Sequence, residues 1–339
     1  MTSFRIALVQ PITAPPPDDE RNVAACVAWI ERAAREGADF VCFPESYPGP
    51  WRMHATFDPT PAIAEAAAKH RVHVIYGTVE PIDRAKATAY NLTCMAFPDG
   101  RAPAAYRRSH PNGPWIYTGG KYWEIQYVAG NDYPVFDTKH GKVGLAMCSE
   151  VYMPEVTRAL ALRGAELIFM PAGMDKRRLW DTWRTLLWAR AIENLALVVS
   201  TQNLLTHQNR GLAIVAAPES VLYESTIAGM GVVEISLGRV RELRTGRDGG
   251  ASSESCGAKQ GVLSEQWQRL SSTTASTRAH QFPWASKRRS ERSSLRAKRS
   301  NPLSAEKLRL GIAASPSAPR HDGVTFLISA NSFAPGPLG

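Results

Sequence analysis

Gly37 to Ser46 reads GADFVCFPES, and Gly164 to Gly173 reads GAELIFMPAG. Both run Gly-Ala-acid, then four apolar residues, then proline. Four consecutive apolar residues fit a short strand buried on both faces. Proline cannot donate to a strand ladder, so it marks the carboxyl end of each. Each copy follows a stretch with helical spacing. A repeated helix–strand–proline unit predicts two similar α/β halves. Halves that stack their sheets and leave their helices outside form an α/β, four-layer αββα sandwich. The carboxyl ends of the equivalent strands then meet at one place. Glu45 marks one of those ends, and the equivalent position in the other copy is Ala172.

The segments around this repeat keep the same rhythm. FRIALVQ, Phe4 to Gln10, reads as a strand. A helix is expected from Arg21 to Glu36, with Val23, Val27, Ile30 and Ala34 on one face and Gly37 beyond its end. Thr60-Pro61 opens another helix with proline in its first turn. VHVIYG, Val72 to Gly77, is the next strand. TAYNLTCMAF turns at Pro98-Asp99-Gly100, a hairpin signal. Asn91-Leu92-Thr93 in that strand is a glycosylation sequon without meaning in a cytosolic protein. VGLAM, Val143 to Met147, is a strand ending at Cys148. Pro154 opens a helix to about Arg163, and a long helix runs from Trp180 to Asn194. ALVVSTQN follows as a strand, with shorter ones near LAIVA, VLYE and GVVEI.

A chain of 339 residues, 44% hydrophobic and 21% charged, can bury a real core. No run approaches the ~20 apolar residues of a membrane span. The N-terminus reads as the first strand of a cytoplasmic protein, not as a signal peptide. The five cysteines, Cys26, Cys42, Cys94, Cys148 and Cys256, are scattered and never form CxxC. That pattern argues against a disulfide framework or structural zinc.

The net charge of +9 invites a nucleic-acid reading, but its distribution withdraws it. Residues 246–339 hold 14 basic and 6 acidic side chains, so residues 1–245 carry only +1. Those last residues are also rich in serine. The expectation is a folded domain over 1–245 and a basic, Ser-rich tail over 246–339, disordered or aberrant. SSLRAKRSNPLS reads like translated repetitive DNA. Nucleic-acid binding through the tail remains the distant alternative.

Three stretches carry chemistry: FPES with Glu45, YRRSHP with Arg107, Arg108 and His110, and AMCSE with Cys148. A cysteine nucleophile needs a base for its proton and a cation or amide for the charge at the attacked centre. Taken singly, each stretch also has a bland reading. Cys148 fits inert core, Pro-Glu fits a loop, and Arg107-Arg108 fits a solvated charge pair. There is no GxSxG elbow, no phosphate-binding glycine loop and no HExxH. Trp180, Trp183, Leu187 and Trp188 fall at helical spacing and read as core or subunit interface. Tyr47, Trp51 and Trp115 lie in loops beside the motifs, where they can shape a pocket.

Together the stretches are more specific. ALVQ, GADFVCFPES, AYRRSH, the run from VAGNDYPVF to LIFMPA, and ARAIENLALVVSTQN resemble the nitrilase, or carbon–nitrogen hydrolase, superfamily over residues 4 to 243. The resemblance implies the αββα sandwich, a Glu-Lys-Cys triad, no metal, no organic cofactor and a homodimer or larger homo-oligomer. It places Glu45 as general base and Cys148 as nucleophile, with backbone amides beside Cys148 helping to hold the oxyanion. Glu124, in GGKYWEIQ, takes the place of a second, structural glutamate. The motif's lysine position is occupied by Arg108, with Lys121 as a nearby substitute. The implied substrate is a small amide or N-carbamoyl compound, or alternatively a nitrile. The arginine raises the further alternative of an impaired member.

Overall fold

The computed structural model describes residues 3–51, 57–111, 125–173 and 179–245, together with Trp267. Its first half runs β1 (Phe4–Gln10), α1 (Arg21–Arg35), β2 (Phe40–Cys42), α2 (Thr60–His70) and β3 (His73–Asp83). Then come β4 (Thr88–Ala96), β5 (Ala104–Arg107), β6 (Gln126–Tyr127) and β7 (Val135–Thr138). The second half repeats the unit: β8 (Gly141–Leu145), α3 (Pro154–Leu162), β9 (Leu167–Phe169), α4 (Trp180–Asn194) and β10 (Leu197–Ser200). It closes with β11 (Ala213–Ala216), β12 (Val221–Ser225), β13 (Gly229–Ile235) and α5 (Gly238–Thr245).

Among the described residues the strands form two sheets. One has the order β13-β1-β2-β3-β4-β5, with β6 beside β4; the other is β12-β11-β10-β9-β8-β7. β1-β2-β3 are parallel, as are β8-β9-β10. Antiparallel strands flank both trios. The two copies of the Gly-Ala-acid motif therefore supply β2 and β9, the middle strand of each parallel trio. The chain is the expected α/β four-layer αββα sandwich, and the internal repeat is its two halves.

Side-chain parity along the strands builds the layers. Phe4, Ile6, Leu8, Phe40, Cys42, Ile75 and Met95 belong to the core that includes the second sheet. Ala7, Val9, Val41, Phe43, Val74 and Tyr76 turn the other way, against Cys26, Ile30 and Ala33 of α1 and Ile63 and Ala67 of α2. Direct bonds also join the sheets: Thr93 Oγ1 donates to Ala146 O at 3.3 Å, and Thr201 Oγ1 to Val9 O at 2.6 Å.

α1 fully buries Asn22, Cys26, Ile30 and Ala33; of the expected face, Ile30 is among them, while Val27 and Ala34 pack half-buried against the same core. A small thiol fits closer to the sheet than a branched valine. Asn22 is drawn in by its bonds to Ala14 N and O, each at 2.9 Å. Trp267, beyond the expected boundary at 245, is buried against Ala161, Leu195 and Leu243, with the Arg244 guanidinium 4.6 Å from its ring centre. Among the described residues no helix is long and apolar enough to cross a membrane.

Candidate active site

The carboxyl ends of the two central strands do meet. After β2 the chain turns at Pro44, and Glu45 N–H donates to Ala172 O, 3.1 Å away beyond β9. Those are the two equivalent positions of the repeat. Glu45 O in turn accepts from Asn203 Nδ2 at 2.7 Å. Ser46 adopts a left-handed φ of 56°, which bends the turn back over β3. Only glycine can lie beneath it: a Cβ on Gly77 would fall 2.2 Å from Ser46 N.

The Glu45 side chain is 3% exposed. Its Oε1 accepts from Arg108 Nη1 at 2.8 Å and from Asn91 Nδ2 at 3.3 Å. Among the described residues its Oε2 is buried with no hydrogen-bond partner. A buried carboxylate oxygen left without a donor calls for a partner.

Arg108 directly follows β5 and is 1% exposed. Besides Glu45 it donates from Nη2 to Ser149 Oγ at 2.5 Å and from Nε to His110 O at 3.1 Å. Burial pulls its pKa down, but Glu45, Cys148, Glu150 and Tyr106 pull it up, and the net shift is upward. Its own backbone is held on both sides: Arg108 N–H donates to Asn91 O at 2.9 Å, and Gly130 N–H donates to Arg108 O at 2.7 Å. Gly130 is required at that approach, since a Cβ there would lie 2.2 Å from Arg107 O. Arg107, next in sequence, faces out and makes a bidentate pair with Glu80 at 2.7 and 2.9 Å. The two arginines are therefore not one solvated pair.

Cys148 follows β8, is fully buried and has φ 49°. A left-handed non-glycine residue is strained, and such strain gathers at functional sites. It opens a 3-10 turn, Cys148–Tyr152. Its N–H donates to Pro171 O at 2.8 Å, so its own amide is not available to an oxyanion, and the expectation for the amides beside it is untouched by this bond. Cys148 is close enough to Tyr152 to help raise that phenol's pKa, after burial. The Tyr127 phenol is likewise pushed up, first by burial and then by the charge of Glu45.

A carboxylate locks the two loops together. Glu150 is fully buried. Its Oε1 accepts from Tyr106 OH at 2.7 Å, Ser109 N at 2.9 Å, Ser109 Oγ at 2.9 Å and His110 N at 3.0 Å. Its Oε2 accepts from Met147 N at 3.0 Å. The cysteine loop is thereby pinned to the arginine loop.

The structure thus brings Glu45, Arg108 and Cys148 together. Glu124, Lys121 and Trp115 lie outside the described residues. Tyr47 does not wall the site: it is buried beside Phe43 in the core under α1 and α2, with its hydroxyl on Asn22 O. Trp51 is also buried, its indole N–H on Ser46 O. Trp180, Trp183 and Leu187 are core. Asn91, Ser149 and Tyr127 escaped the sequence reading. The only signals for them were the sequon at Asn91 and the adjacency of Ser149 to Cys148.

The profile of the carbon–nitrogen hydrolases matches residues 5–244. The chain belongs to the carbon–nitrogen hydrolase family. Deaminated glutathione amidase of a Synechocystis strain is 29% identical over 246 residues, covering 67% of this chain and 90% of that protein. Human omega-amidase NIT2 is 31% identical over 212 residues, covering 59% and 74%. The crystal structure of an amidase from a Nesterenkonia species superposes with a TM-score of 0.60 at 23% identity, covering 70% of this chain and 92% of that one. That match shows the shared fold. A variant of the Nesterenkonia enzyme carries the acetamide moiety of fluoroacetamide added covalently at its active-site cysteine. The superfamily resemblance and the αββα fold are both borne out.

Proposed function

We propose that this carbon–nitrogen hydrolase cleaves small non-peptide amides, N-carbamoyl compounds included, through a thioester on Cys148. The observation that carries the reading is the buried set of Glu45, Arg108 and Cys148, with Glu45 Oε2 lacking a partner among the described residues. Glu45 takes the thiol proton as sulfur attacks the carbonyl carbon. The C–N bond breaks and the leaving nitrogen departs as ammonia or an amine, with the proton returned from Glu45. Water, deprotonated by the same carboxylate, then hydrolyses the thioester and frees the acid and the thiol.

Arg108 supports the oxyanion together with the amides beside Cys148, the Cys148 amide itself being spent on Pro171. Each terminal guanidinium nitrogen carries a second N–H beyond the one given to Glu45 or Ser149. Both named relatives act on amides, which supports amide over nitrile chemistry. A cytoplasmic homodimer or larger assembly completes the proposal.

A second reading has its own observation. Arg108 is tied at Glu45, Ser149 and His110 at once, and a chain so locked can keep the fold without turnover. Ammonia release from amides, N-carbamoyl amino acids and nitriles, in the wild type and in Arg108→Lys, separates the two. Wild-type turnover on amides is expected. Silence across the panel, with activity only in Arg108→Lys, would establish the impaired member instead.

A further inference from the structure

Asn91 was set aside in the sequence as a sequon, yet it sits at the centre of the candidate site. It lies on β4 with the parity of Thr93, whose hydroxyl reaches Ala146 across the sheets. It is 2% exposed, so no glycan could be accommodated there. It touches both loops. Its Nδ2 donates to Glu45 Oε1 at 3.3 Å, its Oδ1 accepts from Ser46 Oγ at 3.5 Å, and its carbonyl accepts from Arg108 N–H at 2.9 Å.

A glutamate carboxyl turns freely about its last torsion, whose wells are broad. One donor fixes how far an oxygen lies; a second donor on the same oxygen, from another direction, fixes the plane. Arg108 and Asn91 supply those two donors to Oε1, one from the end of β5 and one from β4. Oε2 is then the oxygen left for chemistry, and it is the one without a partner. A neutral donor suits this position. An acid would face Glu45 with like charge, and an apolar residue would leave the plane to Arg108 alone.

Resting on the hydrolase reading above, we propose that Asn91 is a positioning residue that orients the Glu45 carboxylate so that Oε2 faces the reacting thiol and water. Among the described residues, the charged and titratable groups that act on the Glu45–Arg108 pair are Tyr127 on β6, Cys148 after β8, Glu150 and Tyr106.

The test compares the full-length wild type with Asn91→Ala and the isosteric Asn91→Asp. Two readouts are taken from pH 4 to 9: kcat/KM for ammonia release, and the rate of Cys148 alkylation by iodoacetamide read by intact mass. Cys148→Ala subtracts other thiols. Losing a donor to the charged carboxylate disfavours that form. The acid limb is expected to move up by about one pH unit in Asn91→Ala. It moves further in Asn91→Asp, where a like charge is added. A merely structural Asn91 predicts lower melting temperatures with both limbs unmoved, and that result overturns the proposal. A wild type that releases no ammonia overturns the hydrolase reading separately. The alkylation limbs then still decide the role of Asn91.

Discussion

Burying a guanidinium costs several kcal/mol unless its charge and its hydrogens are matched. Arg108 meets that demand with a carboxylate, a hydroxyl and a carbonyl, each from a different segment. The pair with Glu45 is therefore a device of position more than of stability. Removing one partner leaves the other charged and unmatched. Arg108→Ala is expected to lower unfolding free energy by about 3–5 kcal/mol, measurable by urea denaturation. A loss below 1 kcal/mol would mean that water already reaches Glu45. Glu150 makes the same case without a cation. It accepts five donors, two of them backbone N–H groups on the loop after Arg108. Glu150→Gln turns one oxygen into a donor facing other donors. The expected cost is about 1–3 kcal/mol, with a loss of turnover as the two loops part. Unchanged turnover would show that the loops hold without it. Residues such as Asn91 and Ser149 were illegible beforehand because their contacts span 46 and 41 positions. No local pattern encodes a partner so distant.

At the scale of elements, the site is made by turns that glycine allows. β3 passes directly under the Glu45 turn, and Gly77 N–H donates to Tyr47 O at 2.8 Å. Gly77→Ala forces a Cβ into the Ser46 backbone, which cannot swing aside as a side chain would. The Glu45 turn must lift, so kcat/KM is expected to fall by more than tenfold, since small misplacements near a reacting group are costly. Thermal melting measured beside activity checks this; a variant with wild-type values of both would show that the turn tolerates the shift. Elements with a strong period were legible. Continuous apolar runs between Gly-Ala-acid and proline gave β2 and β9, and Pro154 gave the start of α3. The face of α1 was legible only in part, because Cys26 and Asn22 are buried for reasons outside the helix: a close sheet and two backbone partners at Ala14.

At the scale of the molecule, the sandwich has two ends with different chemistry. The candidate set of Glu45, Arg108 and Cys148 lies at the carboxyl ends of the parallel strands. At the opposite end, His73 stacks on Phe40 with ring centres 4.5 Å apart, and His140 Nε2 lies 3.1 Å from Asp39 Oδ1. Burial drives the His73 pKa down to about 4. An unfolded histidine titrates near 6.5. Between those values the unfolded chain binds a proton that the native state refuses, so the stabilisation is complete above about pH 6.5 and is lost as pH falls towards 4. The size is about 3 kcal/mol. Melting temperatures from pH 8 down to 4 should fall more steeply in the wild type than in His73→Phe. Parallel slopes would contradict this role for His73. The family fold was legible at this scale because its repeat is written twice. The meeting of Glu45 with Ala172 followed from it, whereas the pinning by Glu150 needed the three-dimensional arrangement.

The central claim is that Cys148 carries the acyl group. The most direct measurement is acid-quenched intact mass of the wild type during turnover of a primary amide, with peptide mapping and Cys148→Ala alongside. The expected result is an added mass equal to the amide less ammonia, confined to the peptide holding Cys148 and absent from the variant, which releases no ammonia. Ammonia released by Cys148→Ala at the wild-type rate, with no adduct in either protein, would contradict it.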